Sequence, residues 1–259
     1  MENLKVSINI ITKDRAGFLK EALASVLNQS FKNWEIVIVD NNSKDNTKEI
    51  VKNYVEKGFN IKYFFQKDEL GISESRNLAL KESVGEYVAV LDSDDIWCDE
   101  KKLENQVNFL ENNSTYTLIG GNVILIDENS KEIGKIKNEI TNNKVRSKIL
   151  FKNQFSHSSV LFRKKEILDV GGYDKGLKIG EDYDLWLRLG LKWKMANLFE
   201  EVLKYRIHVG NITSQKRFIA MNNNIKIIKK YKKQYPHFYL AYIRRVLRYA
   251  IYRLATFKI

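Results

Sequence analysis

Along the first part of the chain, apolar positions follow two different periods. Short runs rich in Val and Ile predict buried strands, and apolar residues at helical spacing predict the helices between them. This pattern gives strands over residues 6–12, 34–40, 61–65 and 87–91, with helices over 16–28, from about 46, and over 74–82. The β-α-β-α-β-α-β order predicts an α/β fold in which a parallel sheet is covered by helices on both faces.

The second part of the chain shows a different pattern. From about residue 112 the alternation is lost, although residues 119–126 and 158–162 still have the composition of strands. Between them, residues 127–148 form a polar, lysine-rich connection that we expect to be mobile or to form part of a lid. Helical spacing returns over 164–170 and 183–191, and two further helices, separated by Pro236, close the chain.

Composition favours a globular protein of a reducing compartment. The 259 residues are 44% hydrophobic and 12% aromatic, values typical of globular chains. A single cysteine excludes an internal disulfide framework. The first residues lack the apolar core of a signal peptide, and no apolar run is long enough to predict a transmembrane helix.

The charge of the chain is concentrated at one end. The net charge is +12, and all of this excess lies in residues 216–259, which contain no Asp or Glu. Residues 1–215 carry as many acidic as basic groups. We therefore predict two units, a catalytic domain over 1–215 and a basic amphipathic helical tail over 216–259, called the C-terminal tail below.

A helical wheel separates the end of this tail into two faces. An apolar stripe contains Ile243, Val246, Leu247, Ala250, Leu254 and Phe257, and the other face carries Arg244, Arg245, Arg248 and Arg253. A basic amphipathic helix of this kind favours an anionic membrane surface as its partner. The alternatives are docking on the chain's own body and a dimer arm. Binding of nucleic acid is a weaker hypothesis, because no recognition motif accompanies the charge.

Three aspartates at the end of a strand are the first candidate site. The apolar run over 87–91 is followed at once by Asp92, Asp94 and Asp95. Carboxylates this close repel one another unless a cation lies between them, and hard cations such as Mg²⁺ or Mn²⁺ prefer carboxylate oxygens. The chain has no P-loop and no GxGxxG pattern, so the sequence gives no support for those nucleotide-binding folds.

Other acids are expected near this cluster. Asp14 and Asp40 also follow strands, and the carboxyl ends of parallel strands share one edge of a sheet. In "GEDYDLWLRL", Glu181 and Asp182 stand at the start of a predicted helix. They could simply be helix-start acids that interact favourably with the helix dipole. A carboxylate fixed there near a metal site would also be a suitable general base.

Four segments in order carry a resemblance to a known family. They are "VSINIITKDRAGFLKEALASVLNQSFKNWEIVIVDNNSKDNT", "GISESRNLAL", "LDSDDIW" and "VGGYDKGLKIGEDYDLWLRL". Together they resemble the inverting glycosyltransferases of family 2, of the bacterial surface-polysaccharide type, over about residues 4–210. The resemblance implies the GT-A fold, a Rossmann-like, mostly parallel sheet flanked by helices. The C-terminal tail lies outside it.

The resemblance assigns roles to the strand ends. It places Thr12, Asp14 and Arg15 in the nucleotide pocket, although this chain has Lys13-Asp14 where the family usually has Tyr-Asn. Asp40 would accept a hydrogen bond from the N–H of the base, which suits uracil or thymine. Arg76 would lie near the diphosphate or on the Asp40 side of the base.

The resemblance also assigns the metal and catalytic roles. Asp92 would contact the ribose or the metal, Asp94 would bind the metal directly, and His208 would be a second metal ligand. Asp182 would deprotonate the acceptor hydroxyl. Glu181 and Trp97 would position acceptor or donor, Trp97 by packing against the metal loop. His157 and His237 are interpreted as structural or surface residues, and Trp186 as a core residue.

These assignments lead to one main hypothesis. The chain is expected to be a metal-dependent inverting hexosyl- or N-acetylhexosaminyltransferase that uses Mn²⁺ or Mg²⁺. It would move a sugar from a nucleoside-diphosphate donor, preferably a UDP-sugar, to a hydroxyl of a glycan or lipid-linked acceptor. Its expected location is the cytoplasmic face of a membrane, with no nucleic acid as partner and an oligomer left open. The alternative is a nucleotide-sugar-binding or hydrolysing protein without transfer activity.

Overall fold

The computed structural model describes residues 4–210 and 217–256. Its strands are β1 (Val6–Thr12), β2 (Trp34–Asp40), β3 (Ile61–Phe65), β4 (Tyr87–Val90), β5 (Ile96–Trp97), β6 (Tyr116–Ile126), β7 (Glu132–Ile136), β8 (Leu161–Arg163) and β9 (Lys194–Arg206). Its helices are α1 (Ala16–Leu27), α2 (Thr47–Glu56), α3 (Ile72–Glu82), α4 (Lys102–Asn112), α5 (Asn142–Lys148), α6 (Lys164–Asp169), α7 (Glu181–Leu189), α8 (Arg217–Lys230) and α9 (Phe238–Thr256). A short 3-10 helix spans His157–Ser159.

The strands of the described residues form one sheet in the order β3-β2-β1-β4-β8-β6-β9-β5, with β7 paired to β6 outside this path. Strand β1 is parallel to β2 and β4, and β2 is parallel to β3. Strand β8 runs antiparallel to both β4 and β6. The order of the strands reverses between β1 and β4, and open α/β sheets bind ligands at such a point. The predicted α/β fold is confirmed.

Side chains on opposite faces of the sheet enter two different cores. On β4, Tyr87 and Ala89 pack with α1, α2 and α4, whereas Val88 and Val90 pack with α5, α6, α7 and α8. This division follows from the two-residue period of a strand. Burial on both faces explains why β4 is apolar at every position. The sheet is therefore a rigid platform, and its strand ends carry the polar loops.

The structure adds regular elements to residues 127–148 and corrects the bounds expected for 158–162. The first segment contains β7, which pairs with β6 as a hairpin, and α5, whose Val145 is buried. The turn into β7 is stabilised by Asp127 Oδ1, which accepts the backbone N–H groups of Asn129 and Lys131, each at 2.9 Å. The expected strand over 158–162 is a 3-10 turn followed by β8.

The C-terminal tail packs on the body of the protein over much of its length. Ile227 and Ile228 of α8 are buried in the same core as α7. The hydroxyls of Tyr231 and Tyr235, which follow α8, donate hydrogen bonds to α7 at 3.2 and 2.8 Å. Helix α8 is thus an integral part of the fold. The boundary predicted at residue 215 falls in the 211–216 segment outside the described residues, and it stays a prediction.

We expect Ile228→Ala to lower the free energy of unfolding by about 2–4 kcal/mol, because the change opens a cavity in a packed core. Ile228 is fully buried, whereas Ile243 of α9 is 54% exposed. The matched control Ile243→Ala should change the free energy of unfolding by less than about 0.5 kcal/mol. Urea denaturation measures both values, and equal effects would contradict the packing of α8 described here.

Candidate active site

The three aspartates that follow β4 point in two directions. Asp95 is buried and accepts hydrogen bonds from Ser158 Oγ and from the backbone N–H of Arg206. Burial, together with the charges of Asp94 and Asp92, raises the pKa of Asp95. Asp92 and Asp94 instead line a cavity at the edge of the sheet. The acidic loop (residues 92–95) therefore presents two of its three carboxylates to a ligand.

Asp94 contacts basic side chains from two distant parts of the chain. Arg15 Nη1 lies 2.6 Å from Asp94 Oδ2, and His208 Nε2 lies 2.9 Å from the same oxygen. Arg15 also donates from Nη2 to the Gly210 carbonyl oxygen at 3.3 Å. Arg15 precedes α1 and His208 follows β9, so the fold brings together three of the residues that the resemblance singled out.

Arg76 connects the acidic loop to the start of α7. Its buried guanidinium forms an ion pair with Glu181, and its Nη2 lies 3.3 Å from Asp92 Oδ1. Burial alone would raise the pKa of Asp92, but the Arg76 guanidinium and the neighbouring His157 hold that pKa below its usual range. Arg76 therefore keeps the Asp92 carboxylate charged and fixes its position relative to α7.

Asp182 is the second residue of α7, and Gly180 makes its position possible. Gly180 has φ 87°, and a Cβ atom there would lie only 3.0 Å from Ile227 and 3.2 Å from Asn224 of α8. Glycine is therefore needed for the backbone conformation and for the close approach of α8. Asp182 Oδ2 accepts a hydrogen bond from Asn153 Nδ2 at 3.1 Å, and the side chain is only partly exposed.

Thr12 and Asp40 are register partners at the ends of β1 and β2. Asp40 is fully buried, and its oxygens accept hydrogen bonds from the Ser43 backbone N–H at 2.8 Å and from the Tyr63 hydroxyl at 2.5 Å. Thr12 Oγ1 is buried without a hydrogen-bond partner among the described residues. Neither residue lines the cavity, so their roles in nucleotide binding stay predictions.

Asp14 connects the loop after β1 to the loop after β2. Its backbone N–H donates to Ser43 Oγ at 2.9 Å, and its Oδ1 accepts from the Lys44 backbone N–H at 2.6 Å. Asp14 has φ 49°, a left-handed conformation that Asn and Asp adopt more readily than other side chains. Both Asp14 and the Asn usual in the family therefore meet the same backbone requirement. Asp14 lies outside the cavity lining.

Trp97 lies beneath the acidic loop, away from the cavity. Its ring is 4% exposed, and its Nε1 donates to the Ser158 carbonyl oxygen at 2.8 Å. Lys102 Nζ lies 4.0 Å from the ring centroid and donates to Gln106 Oε1 at 2.8 Å. Burial lowers the pKa of Lys102 well below its usual value. Trp97 thus supports the loop by packing, and a direct role in positioning substrate stays a prediction.

One cavity of about 570 Å³ brings most of the candidate residues together. This volume lies within the range of small-molecule and cofactor sites. Of the residues singled out from sequence, it is lined by Arg15, Arg76, Asp92, Asp94, Glu181 and Asp182. Sequence reasoning missed further polar residues that line it, namely Asn138, Lys152, Asn153, His157, Lys178 and Tyr205. The lining contains four carboxylates and four Arg or Lys side chains.

His157 was interpreted from the sequence as a structural or surface residue. In the structure it is 8% exposed and lines the cavity. His157 Nε2 lies 2.9 Å from the Tyr173 hydroxyl, and Nδ1 lies 3.6 Å from Asp92 Oδ1. Nδ1 has no hydrogen-bond partner among the described residues, and buried polar atoms without partners are typical of ligand sites. A lone histidine carries no motif that would have revealed this role.

Asp94 and His208 together fit a divalent cation whose remaining coordination positions are filled by a bound substrate. Within the described residues, no group of three or more His, Cys, Asp or Glu side chains is placed to hold a metal ion. Asp94 and His208, however, meet at 2.9 Å, and both side chains are nearly buried. Mg²⁺ and Mn²⁺ are often bound by one or two protein ligands plus substrate phosphates. Arg15 contacts the same Asp94 oxygen, so the guanidinium and a bound cation would have to share it.

Comparison with known proteins identifies the sequence family. The model of glycosyl transferase family 2 matches residues 7–171, which contain the acidic loop but not Asp182 or His208. An uncharacterized glycosyltransferase of Methanocaldococcus jannaschii is 35% identical over 192 residues, covering 73% of this chain and 66% of that protein. The O-antigen biosynthesis glycosyltransferase WbnJ of Escherichia coli is 33% identical over 207 residues, covering 77% of each chain. In a Rickettsia bellii relative, 29% identical, the match covers 30% of the protein.

Solved structures share the fold at low sequence identity. TarS 1–349 of Staphylococcus aureus in complex with UDP-GlcNAc superimposes with a TM-score of 0.67 at 22% identity, covering 86% of this chain and 66% of that chain. The mannosyltransferase PcManGT of Pyrobaculum calidifontis in complex with GDP-Man and Mn²⁺ gives a TM-score of 0.70 at 16% identity, covering 95% and 69%.

Proposed function

Because the chain belongs to glycosyl transferase family 2, we propose that it transfers a sugar from a nucleoside-diphosphate donor to a hydroxyl acceptor with inversion of the anomeric carbon. One observation carries this proposal: Asp94 and Asp182, a metal-ligand candidate and a base candidate, line the same cavity. A cation-binding carboxylate beside a carboxylate at a rigid helix start is the pair that such a displacement needs.

The donor is proposed to be a UDP-sugar. Asp40 would accept the N–H of the uracil ring, after release of its contact with Tyr63. Arg15 and Arg76, both at the cavity, would face the diphosphate. TarS in complex with UDP-GlcNAc and PcManGT in complex with GDP-Man support a nucleoside-diphosphate sugar as donor, and the choice of uridine rests on Asp40.

Asp182 is proposed as the general base. Its carboxylate would take the proton of the acceptor hydroxyl while the oxygen attacks the anomeric carbon from the side opposite the diphosphate. The bond between this carbon and the phosphate oxygen breaks, and its electron pair leaves with the nucleoside diphosphate. Asn153, which donates to Asp182 Oδ2 at 3.1 Å, would keep the carboxylate oriented. Glu181 would act as a positioning residue through Arg76.

Asp94 and His208 are proposed as the protein ligands of Mn²⁺ or Mg²⁺. When bound, the cation neutralises negative charge that develops on the diphosphate leaving group. Arg15 Nη1 contacts the same proposed ligand atom, Asp94 Oδ2, at 2.6 Å. The Mn²⁺ complex of PcManGT, a protein with the same fold, supports the use of a divalent cation.

The acceptor is proposed to be a glycan or a lipid-linked sugar presented at the cytoplasmic face of a membrane. The relative WbnJ is named for the biosynthesis of O-antigen, which supports a polysaccharide acceptor. Within the described residues, no helix is both long and apolar enough to cross a membrane. The basic C-terminal tail is the proposed contact with the membrane surface.

Thermal-shift screening of nucleotide-sugars with and without Mn²⁺ tests the donor, because a specific ligand raises the unfolding temperature. We expect a UDP-sugar to stabilise the protein more than GDP- or ADP-sugars, and only when Mn²⁺ or Mg²⁺ is present. Release of UDP should then depend on added glycan acceptor. UDP release at the same rate in water alone would support the alternative, a nucleotide-sugar hydrolase.

We expect His157→Leu to weaken the binding of UDP by about tenfold, the worth of one hydrogen bond to a charged ligand. The reason is that His157 Nδ1 is buried 3.6 Å from Asp92 Oδ1 and has no hydrogen-bond partner within the part of the chain that the structure describes. The matched control Tyr173→Phe removes only the contact at Nε2 and should change the affinity by less than about threefold. Isothermal titration calorimetry measures both, and equal losses would mean that His157 acts only by packing.

A further inference from the structure

Helix α9 (Phe238–Thr256) has one face on the protein body. Phe238 and Ala241 are buried there. Arg245 belongs to the same face: its Nε donates to the Leu150 carbonyl oxygen at 2.6 Å, and its Nη2 donates to the Tyr183 hydroxyl at 3.0 Å. The helical wheel placed Arg245 on the face opposite the apolar stripe, and in the structure Arg245 lies against the protein body. The body-facing side of α9 therefore combines buried apolar residues with a hydrogen-bonded arginine.

The opposite face of α9 carries a row of aliphatic side chains directed away from the body. The row repeats at helical spacing, and each member is more than half exposed: Leu240 64%, Ile243 54%, Leu247 56%, Ile251 66% and Leu254 69%. These five residues are called the aliphatic row. It shares three members with the stripe predicted from sequence, whereas Val246 lies at its margin with 37% exposure and Phe257 lies outside the described residues. Exposed contiguous apolar surfaces of this kind mark interaction sites.

The surroundings of the aliphatic row are positively charged. Arg244 and Arg248 border a shallow groove formed by its first four members. Lys229 and Lys232 lie at the C-terminal end of α8 and just after it. Their side chains lie over the rings of Tyr242 and Tyr239. No Asp or Glu occurs between residues 217 and 256. An apolar strip bordered by cations and without carboxylates is complementary to a surface that has an apolar interior and an anionic outer layer.

We propose that the aliphatic row inserts into the interfacial region of an anionic lipid bilayer while Arg244 and Arg248 contact the lipid headgroups. A second copy of the chain is a poorer occupant. Paired face to face by two-fold symmetry, two such helices would place their arginines near each other without a carboxylate from either helix. An amphipathic helix that lies in the plane of an anionic membrane needs no carboxylate from a partner helix to balance its arginines.

Because α8 connects α9 to the cavity, membrane binding would also affect the position of the active site. This consequence rests on the proposed function. Ala220 and Asn224 of α8 line the cavity, and α8 also packs against α9. A bilayer bound by the aliphatic row would therefore keep the cavity at a fixed height above the lipid headgroups.

Vesicle flotation of the full chain tests the proposal. The vesicles are phosphatidylcholine alone or phosphatidylcholine with a third of phosphatidylglycerol. We expect the unaltered chain to float only with the anionic vesicles. The double variant Leu247→Ser/Ile251→Ser should lower the partition coefficient at least about tenfold, since two buried aliphatic side chains are lost. Arg244→Gln/Arg248→Gln should lower it by about tenfold and reduce its dependence on salt.

The matched control is Phe199→Ser, which removes a 72% exposed apolar side chain of β9 and should leave flotation unchanged. Thermal unfolding of each variant verifies that the fold is kept. Equal flotation of all variants, or none by the unaltered chain, overturns the proposal. So does sedimentation velocity if it shows a dimer that the serine variant dissociates. UDP binding and release are measured separately, so a failed membrane contact leaves the proposed transfer reaction standing.

Discussion

We expect the Asp94→Ala variant to bind UDP equally weakly with and without Mn²⁺, whereas Mn²⁺ should strengthen binding by the unaltered chain at least about tenfold. The physical reason is the geometry at one oxygen atom. Asp94 Oδ2 lies 2.9 Å from His208 Nε2, so removal of this carboxylate leaves a single imidazole, which is a poor ligand for a hard cation. Isothermal titration calorimetry with UDP, in EDTA and in Mn²⁺, measures the difference.

The control for this variant is Asp68→Ala, which removes an exposed carboxylate between β3 and α3 that lies outside the cavity. It should keep the full effect of Mn²⁺ on UDP affinity. Circular dichroism and urea denaturation verify that both variants are folded. If Asp94→Ala kept the tenfold effect of Mn²⁺, the cation would have to be bound elsewhere and the role assigned to the acidic loop would be wrong.

The effect of Asp94→Ala on stability should be small for two opposing reasons. The variant loses the contacts of the nearly buried Asp94 with Arg15 and His208; Arg15 is partly exposed, and exposed pairs contribute only about 0–1 kcal/mol. It also removes a negative charge next to Asp95, whose pKa is raised by burial and by the neighbouring carboxylates. Relief of this repulsion offsets part of the lost contact. The experiment therefore separates cation binding from folding.

The first half of the fold was predictable because its signals are local. Strands β1, β2 and β3 have the bounds predicted from their apolar runs, and the helices between them differ by one or two residues. Strand β9 gave no such signal. It spans Lys194–Arg206, mixes charged and apolar residues without a regular period, and is stabilised by its long pairing with β6, which contains register shifts. Pairing partners distant in sequence override local propensity in such strands.

The candidate site was predictable where a motif supplied both residue type and position. The meeting of Arg15, Asp94 and His208 follows from strand ends that share one edge of the sheet. Asn153 and His157 could not be inferred in this way. They lie around an irregular turn before β8, and only the antiparallel pairing of β8 with β4 brings them to the acidic loop. Their roles depend on tertiary structure alone.

The same limit applies to Asp95 and Arg206, which sequence reasoning did not distinguish from their neighbours. Arg206 is fully buried, and its Nε donates to the Asp94 carbonyl oxygen at 2.9 Å while its backbone N–H donates to Asp95 Oδ1 at 2.9 Å. The last residue of β9 thus determines the conformation of the acidic loop. Because β9 was not predicted from the sequence, the contacts of Arg206 with the acidic loop could not be predicted either.

The largest effect on turnover is expected for Asp182→Asn. The amide keeps the shape of the carboxylate and its place at the start of α7, but it cannot accept the proton of the acceptor hydroxyl. We expect the rate of acceptor-dependent UDP release to fall by about 10²–10⁴-fold, with the Kd for UDP and Mn²⁺ changed by less than about threefold. The assay uses the UDP-sugar selected by thermal shift, with glycan acceptor and with water alone.

Asp184→Asn is the matched control on the same helix. Asp184 is buried, pairs with Arg188 at 2.8 Å and does not line the cavity, so its loss should reduce the free energy of unfolding and leave the rate nearly unchanged. The two variants thus separate a charge that accepts a proton from a charge that stabilises α7. If Asp182→Asn retained the normal rate, or lost stability as Asp184→Asn does, Asp182 would only stabilise the start of the helix. The base would then have to be sought among the other groups that line the cavity.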